Sequence, residues 1–221
     1  MPVTLHVWRV PGRLVGAAMF RVAFPGRFQA SFAKFLGTSR GFLPSDADLT
    51  RYAALTVSDS PVHLPKWDKL AVAAARIDLE PLLSRGAWSG VSPFTVSPQT
   101  ESPGDGMVLA LTRARLRPSK MITFYRAVPA VAREALKAPG LLAHFGVGEA
   151  PIGFQGTISV WRNAADLARF AYRQPEHRAV IARTPADRWY AEELFARFAV
   201  REISGDRAVL GWAPDDPAPA D

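Results

Sequence analysis

An α+β barrel built from two ferredoxin-like units in one chain is what three features of the 221 residues predict. Met107 to Phe198 reads as strand, helix, strand, strand, helix, strand, the order of one such unit. The first half repeats that order more loosely, and a repeat changes the fold expected of the whole chain. Between them lies Ser92 to Gly106 (SPFTVSPQTESPGDG), a Pro/Ser/Gly-rich stretch of the kind that separates units. The boundaries that follow are 1–91 for an N-terminal half, 92–106 for a linker, 107–213 for a C-terminal half and 214–221 for a disordered tail (PDDPAPAD). Two such units in one chain place their sheets face to face as a pseudo-two-fold version of the dimeric α+β barrel. Helices then lie outside, with an apolar cavity between sheet and helices.

The elements of the first half follow in order. Val3 to Val10 alternates as a strand does, and Arg13 to Phe24 forms the first helix. Ser31 to Gly41 and Tyr52 to Asp59 are strands, and Pro65 to Arg76 is read as the second helix. Arg9 and Arg13 ahead of the apolar run Leu14 to Phe20 imitate a secretory signal. The run is at the lower limit for a signal core, no small-residue cleavage site follows closely, and a strand precedes it, so it is read as part of the fold.

In the second half Val108 to Ala114 is a strand, and Arg117-Pro118-Ser119 stops it and opens a helix through about Ala138. Pro139-Gly140 ends that helix. Leu141 to Val147 and Phe154 to Trp161 are strands joined by the turn Gly148-Glu149-Ala150-Pro151. A helix over Ala164 to Tyr172 breaks at Pro175 and resumes to about Arg183, and Phe195 to Ile203 is the last strand.

Composition removes several chemistries. The chain has no cysteine, which excludes disulfides, thiolate catalysis, iron–sulfur clusters and Cys-ligated zinc, and it fits a cytoplasmic compartment. No segment approaches the roughly 20 apolar residues needed to cross a bilayer, so membrane contact is expected to be peripheral. A net charge of +7 and a pI near 10.2 suggest an anionic partner. Arginines are nevertheless scattered through both halves without a basic tract or a nucleic-acid motif, so nucleic acid is not expected as a partner.

Four histidines bound any metal or haem chemistry: His6, His63, His144 and His177. His177 follows the helix break Gln174-Pro175-Glu176. There it either aims an imidazole into a cavity, as a haem ligand would, or caps a helix start at the surface. His144, in Leu142-Ala143-His144-Phe145, points opposite to Ala143 and Phe145, toward cavity or solvent. His6 carries the same ambiguity, and His63 is read as lying in a loop between prolines. No pair has the spacing of a zinc site, no Gly-x-Ser-x-Gly elbow exists, and Gly146-Val147-Gly148-Glu149 is a turn rather than a dinucleotide loop. Arg113, Arg115 and Arg162, in or beside strands, either reach into a cavity toward a carboxylate or simply face solvent. Six tryptophans and thirteen phenylalanines supply a core, with a minority left to line an apolar pocket.

Several of these segments together resemble the spheroidene monooxygenase family. They are Leu109-Ala110-Leu111-Thr112-Arg113-Ala114-Arg115-Leu116-Arg117-Pro118, Phe124-Tyr125-Arg126-Ala127-Val128-Pro129, and Phe145-Gly146-Val147-Gly148-Glu149-Ala150-Pro151. Gln155 to Trp161, Pro175-Glu176-His177 and Trp189 to Phe198 extend the likeness, and Gly86-Ala87-Trp88-Ser89-Gly90 carries it into the first half. The resemblance implies an oxygen-dependent monooxygenase of carotenoid ketolation that uses haem, on a dimeric α+β barrel. It further implies O2 and an external electron donor such as a reductase or ferredoxin, an apolar substrate, a cytoplasmic or membrane-peripheral location, and a homodimer as one assembly. In that reading His177 is the proximal ligand to haem iron, and His144 or Arg113 stands near the distal pocket. His144 occupies a position where the family is expected to carry lysine. A non-enzymatic haem or hydrophobic-ligand binding protein, and a cofactor-free monooxygenase, remain the alternatives on the same fold.

Overall fold

A computed structural model describes residues 1–212 apart from 27, 42, 61, 99, 101–102, 127–136, 151–153 and 174–188. The first half contributes strands β1 (Val3–Arg9), β2 (Phe32–Ser39), β3 (Ala47–Val57) and β4 (Ala73–Gly86), with helices α1 (Val15–Ala23) and α2 (Pro65–Asp68). From the second half come β5 (Val108–Leu116), β6 (Leu141–Gly148), β7 (Phe154–Trp161) and β8 (Tyr190–Gly205), with a helical stretch α3 over 121–126 and helix α4 (Ala164–Arg173). The resumed helix to Arg183, the rest of the helix to Ala138, His177 and the tail 214–221 lie outside the described residues.

The eight strands close into one barrel in the order β1-β3-β2-β6-β7-β5-β8-β4, every pair antiparallel. Each half contributes the four-strand order of a ferredoxin-like sheet, and closure leaves no open edge. The two seams differ. β4 and β8 run together from Ala75↔Gly205 to Gly86↔Leu194, whereas β2 and β6 share only Gly37↔Gly148 to Ser39↔Gly146.

The expected helix Pro65 to Arg76 is corrected. It ends at Asp68, and β4 begins at Ala73. The alanine-rich run favours helix locally, but Ala75, Ile77 and Leu79 alternate into the core while Arg76 pairs with Asp78 on the other face at 2.8 Å. Ladders with β1 on one side and β8 on the other outweigh the local preference. Pro81 is accommodated where the β4–β8 register shifts between Pro81 and Leu83.

Alternation divides every strand between two environments. Val3, Leu5, Leu55, Ile77, Phe145 and Phe198 belong to one apolar cluster that fills the barrel interior, as expected of an eight-stranded barrel. Val209, Leu210 and Trp212 join that cluster beside the start of β4, and Trp88 and Phe94 join it beyond the end of β4. In the segment after residue 91, the ring of Phe94 meets Phe198 edge-on at 5.0 Å. Outside the wall, Trp8, Phe35, Tyr52 and Trp67 pack with α1 and α2 on the first half. Two smaller clusters cover parts of the second half. No helix of the described residues is long and apolar enough to cross a membrane.

Candidate functional site

Residues from four of the family-like segments, Trp88 to Gly90, Arg113, Glu149 and Glu192, meet at one mouth of the barrel. On β5, Leu109 and Leu111 point inward, and Arg113 is the next inward residue, buried between the rings of Trp88 and Phe154 at 5.5 and 5.8 Å. Its Nη2 donates to Glu149 at 2.8 Å and its Nη1 donates to Glu192. Lys34 of β2 donates to the other Glu149 oxygen at 2.6 Å and to the Ser89 hydroxyl at 2.7 Å. Glu192 also accepts the backbone N–H groups of Ser89 and Gly90 at 3.1 and 2.8 Å. The turn that presents them needs positive φ, 55° at Ser89 and 78° at Gly90, which makes glycine the natural residue at the second position.

Two cations and two carboxylates therefore balance in a partly buried setting. Burial pushes the Glu149 carboxyl up, but hydrogen bonds from Lys34 and Arg113 outweigh it and hold the group below the usual carboxylate range. For Glu192, burial likewise acts upward and is overcome by Gly90, Arg113 and Ser89. With both terminal nitrogens of Arg113 engaged, only Nε is left without a hydrogen bond. The arrangement is a clasp that ties β2, β5, β8 and the turn after β4 together.

The outer face of the second half is built differently. Cross-strand pairing lays Arg197, Ala110, Ser159 and His144 in one row across β8, β5, β7 and β6. Phe195, Thr112, Thr157 and Gly146 form the next row. Neighbours of these residues in sequence, Leu194, Ala196, Leu111, Ile158 and Phe145, all point into the core, so both rows face outward. Small side chains make the middle of this face a floor. It is bounded at one end by Trp161 and Leu167 and at the other by Leu116, Phe124 and Trp189. Thr112 is exposed in mid-strand and shares a 2.6 Å hydrogen bond with Thr157. Ser159 accepts the Trp161 indole N–H at 2.9 Å.

His144 is half-buried on this floor. Burial, and then the positive charge of Arg51, lower its pKa from 6.5 to about 4, so the imidazole is neutral near pH 7. Arg197 stands at the opposite end of the row, three strand spacings or about 14 Å away. It has no ion pair among the described residues, and its Nε is buried without a hydrogen bond. His144 and Arg113 thus lie on opposite faces of the wall and do not share a pocket. Arg115 is exposed, and Arg162 pairs with Asp166 at 2.8 Å. Arg197 was missed from sequence, although alternation with Leu194, Ala196 and Phe198 already assigns it to the outer face.

A cavity of about 220 Å³ opens on the outer face of the first half, lined by His6, Trp8, His63, Leu64, Asp68 and Arg76 among others. His6 is stacked on Trp8 at 5.5 Å, and burial followed by the Arg76 charge lowers its pKa to about 4. Its Nε2 is buried and makes no hydrogen bond. Among the described residues no three His, Asp or Glu side chains are grouped as multi-ligand metal sites require.

Comparison with known proteins completes the picture. No family model matches the chain. The solved structure of an aldoxime dehydratase superposes with a TM-score of 0.53 at 10% identity, over 90% of this chain and 80% of that one, a likeness of fold alone. A spheroidene monooxygenase of Rubrivivax gelatinosus is 34% identical over 137 residues, 62% of this chain and 50% of that protein. A spheroidene monooxygenase of Rhodobacter capsulatus is 31% identical over 191 residues, 82% of this chain and 77% of that protein. The chain thus spans about three quarters of one relative and half of the other. With similarity running through both halves of the barrel, the chain belongs to the spheroidene monooxygenase family.

Proposed function

We propose that the chain is a haem-dependent monooxygenase that oxidises an apolar, carotenoid-like substrate with O2, taking electrons from an external reductase or ferredoxin. The observation that carries the reading is the contrast between a barrel interior filled by side chains and an outer floor of small residues on the second half. An eight-stranded barrel filled by its own side chains favours a large ligand between sheet and helices.

Arg197 and His144, at the two ends of that floor, would hold a flat anionic cofactor between them. Ala110, Thr112, Thr157, Gly146 and Ser159 keep the side chains of this floor short, Arg197 supplies a guanidinium without an ion pair among the described residues for a carboxylate, and His144 supplies a neutral imidazole. Bound haem would supply the activation of O2. His177, outside the described residues, would hold the haem iron. His144 holds or accepts a proton at a ring nitrogen. Arg113 serves as a positioning residue, because its terminal nitrogens are committed to Glu149 and Glu192.

Hemin titration followed in the ultraviolet and visible range tests this. A stoichiometric Soret band is expected, lost or shifted in His177→Ala and retained in Arg197→Met with about tenfold weaker hemin affinity. No Soret band in any of the three proteins would remove haem and leave cofactor-free oxygenation or plain ligand binding.

A further inference from the structure

Helix α1 is apolar on both of its faces. Val15, Ala18 and Val22 pack inward against the cluster around Trp8 and Trp67. The other face carries Gly16, Ala17, Met19, Phe20 and Ala23, with Phe24 at the cap, and all of these are exposed. Met19, Phe20 and Phe24 are 52, 64 and 68% accessible, and the two phenylalanine rings lie 4.9 Å apart. A surface helix ordinarily turns charged residues to water. The only charged residue of α1 is Arg21, and it bends away to donate to the Lys66 carbonyl.

Beside this patch basic side chains outnumber acidic ones, with Asp68 exposed between Lys66 and Lys69. Arg13 precedes the helix, and Lys66 and Lys69 lie on and just after the neighbouring α2. All three are exposed and without an ion pair among the described residues. Residues 1–45 hold six Arg and Lys and no Asp or Glu. We propose that α1 lies in the plane of an anionic bilayer surface, with Met19, Phe20 and Phe24 in the acyl boundary and Arg13, Lys66 and Lys69 at the headgroups. A second copy of the chain fits less well, because a two-fold contact through α1 would bring the same basic rims together. The surface lies on the first half, so it is independent of the haem reading, and either can fail alone.

Co-sedimentation of the full chain with phosphatidylglycerol-containing vesicles and with phosphatidylcholine vesicles tests the proposal. Wild type should bind the anionic vesicles more tightly and lose binding as salt rises. Phe20→Ser/Phe24→Ser should weaken binding about a hundredfold on both vesicles without a change in melting temperature. Lys66→Glu/Lys69→Glu should weaken it roughly tenfold or more on anionic vesicles only. The second variant alters only exposed polar positions, so it serves as the test should the first not fold. Wild type that ignores anionic vesicles, or variants that bind them equally well, would overturn the proposal. So would a wild-type dimer that ignores vesicles and becomes a monomer in Phe20→Ser/Phe24→Ser, which would assign the face to a second copy.

Discussion

The two outer faces of the barrel share a strand order but not a way of being covered. On the first half a continuous aromatic stack, Trp8 on Trp67 at 5.0 Å and Phe35 on Trp67 at 5.9 Å, fastens α2 to the sheet beside the cavity lined by His6 and Trp8. Among the described residues, cover on the second half falls into two clusters at the ends of the sheet, with Thr112, Thr157, Ser159 and His144 between them. A repeated fold can thus line one copy with large aromatics and the other with small and polar side chains. Function follows the place where large side chains are withheld.

The sharpest break between the faces should appear at Trp67, which is 2% exposed and touches Trp8, Phe35 and Tyr52. Trp67→Ala is expected to lower stability by about 3–5 kcal/mol in a urea melt. It should leave hemin affinity unchanged per folded molecule. A loss below about 1 kcal/mol would mean that the first face is not the stabilising one.

Acid should act on both faces through His6 and His144. Each has a folded pKa of about 4 against 6.5 in an unfolded chain. Below pH 6.5 the unfolded chain binds a proton on each imidazole that the folded protein refuses until about pH 4. Stability is therefore full above 6.5 and falls as the pH drops through that window, by about 3 kcal/mol per histidine. Asn substitution at either position should flatten the slope of stability against pH by one proton. Hemin should perturb the ring resonances of His144 and not those of His6, and equal perturbation would erase the distinction between the faces.

Inside the wall, Glu149→Gln removes one of the two carboxylates that compensate Arg113 and leaves a buried cation half-matched. A loss of about 2–4 kcal/mol is expected, with little change in hemin affinity. If hemin binding fell more than stability, Arg113 would be acting on the ligand rather than holding the mouth.

Much of this architecture was legible because strand alternation is a strong signal. Val3 to Trp8, Leu109 to Arg113 and Leu194 to Phe198 each assign alternate residues to the core, and the structure follows them. β4 was not legible, since Ala73-Ala74-Ala75 carries a helical preference and its strand identity comes from partners on β1 and β8. The clasp was hidden for a related reason. Arg113 was weighed between cavity and solvent, and it reaches neither, because Glu149 and Glu192 stand 36 and 79 residues away and only closure of the barrel unites them. The same limit hid Arg197 and the floor, whose rows exist only across four strands.

The smallest stability effect separates the two faces most cleanly. Thr112 is exposed in mid-floor between Phe195 and Thr157, so Thr112→Leu sheds one hydroxyl contact and adds a side chain that meets solvent. Its melting curve should stay within about 0.5 kcal/mol of wild type. A flat ligand seated on the floor would instead meet the new isobutyl group, and hemin affinity should fall at least about tenfold, which corresponds to ~1.4 kcal/mol. Unchanged stability with reduced affinity would locate the ligand above β5 and β7. Unchanged affinity would place it elsewhere and remove the functional difference between the faces, leaving Trp67 and Thr112 as two ends of a single scale of packing.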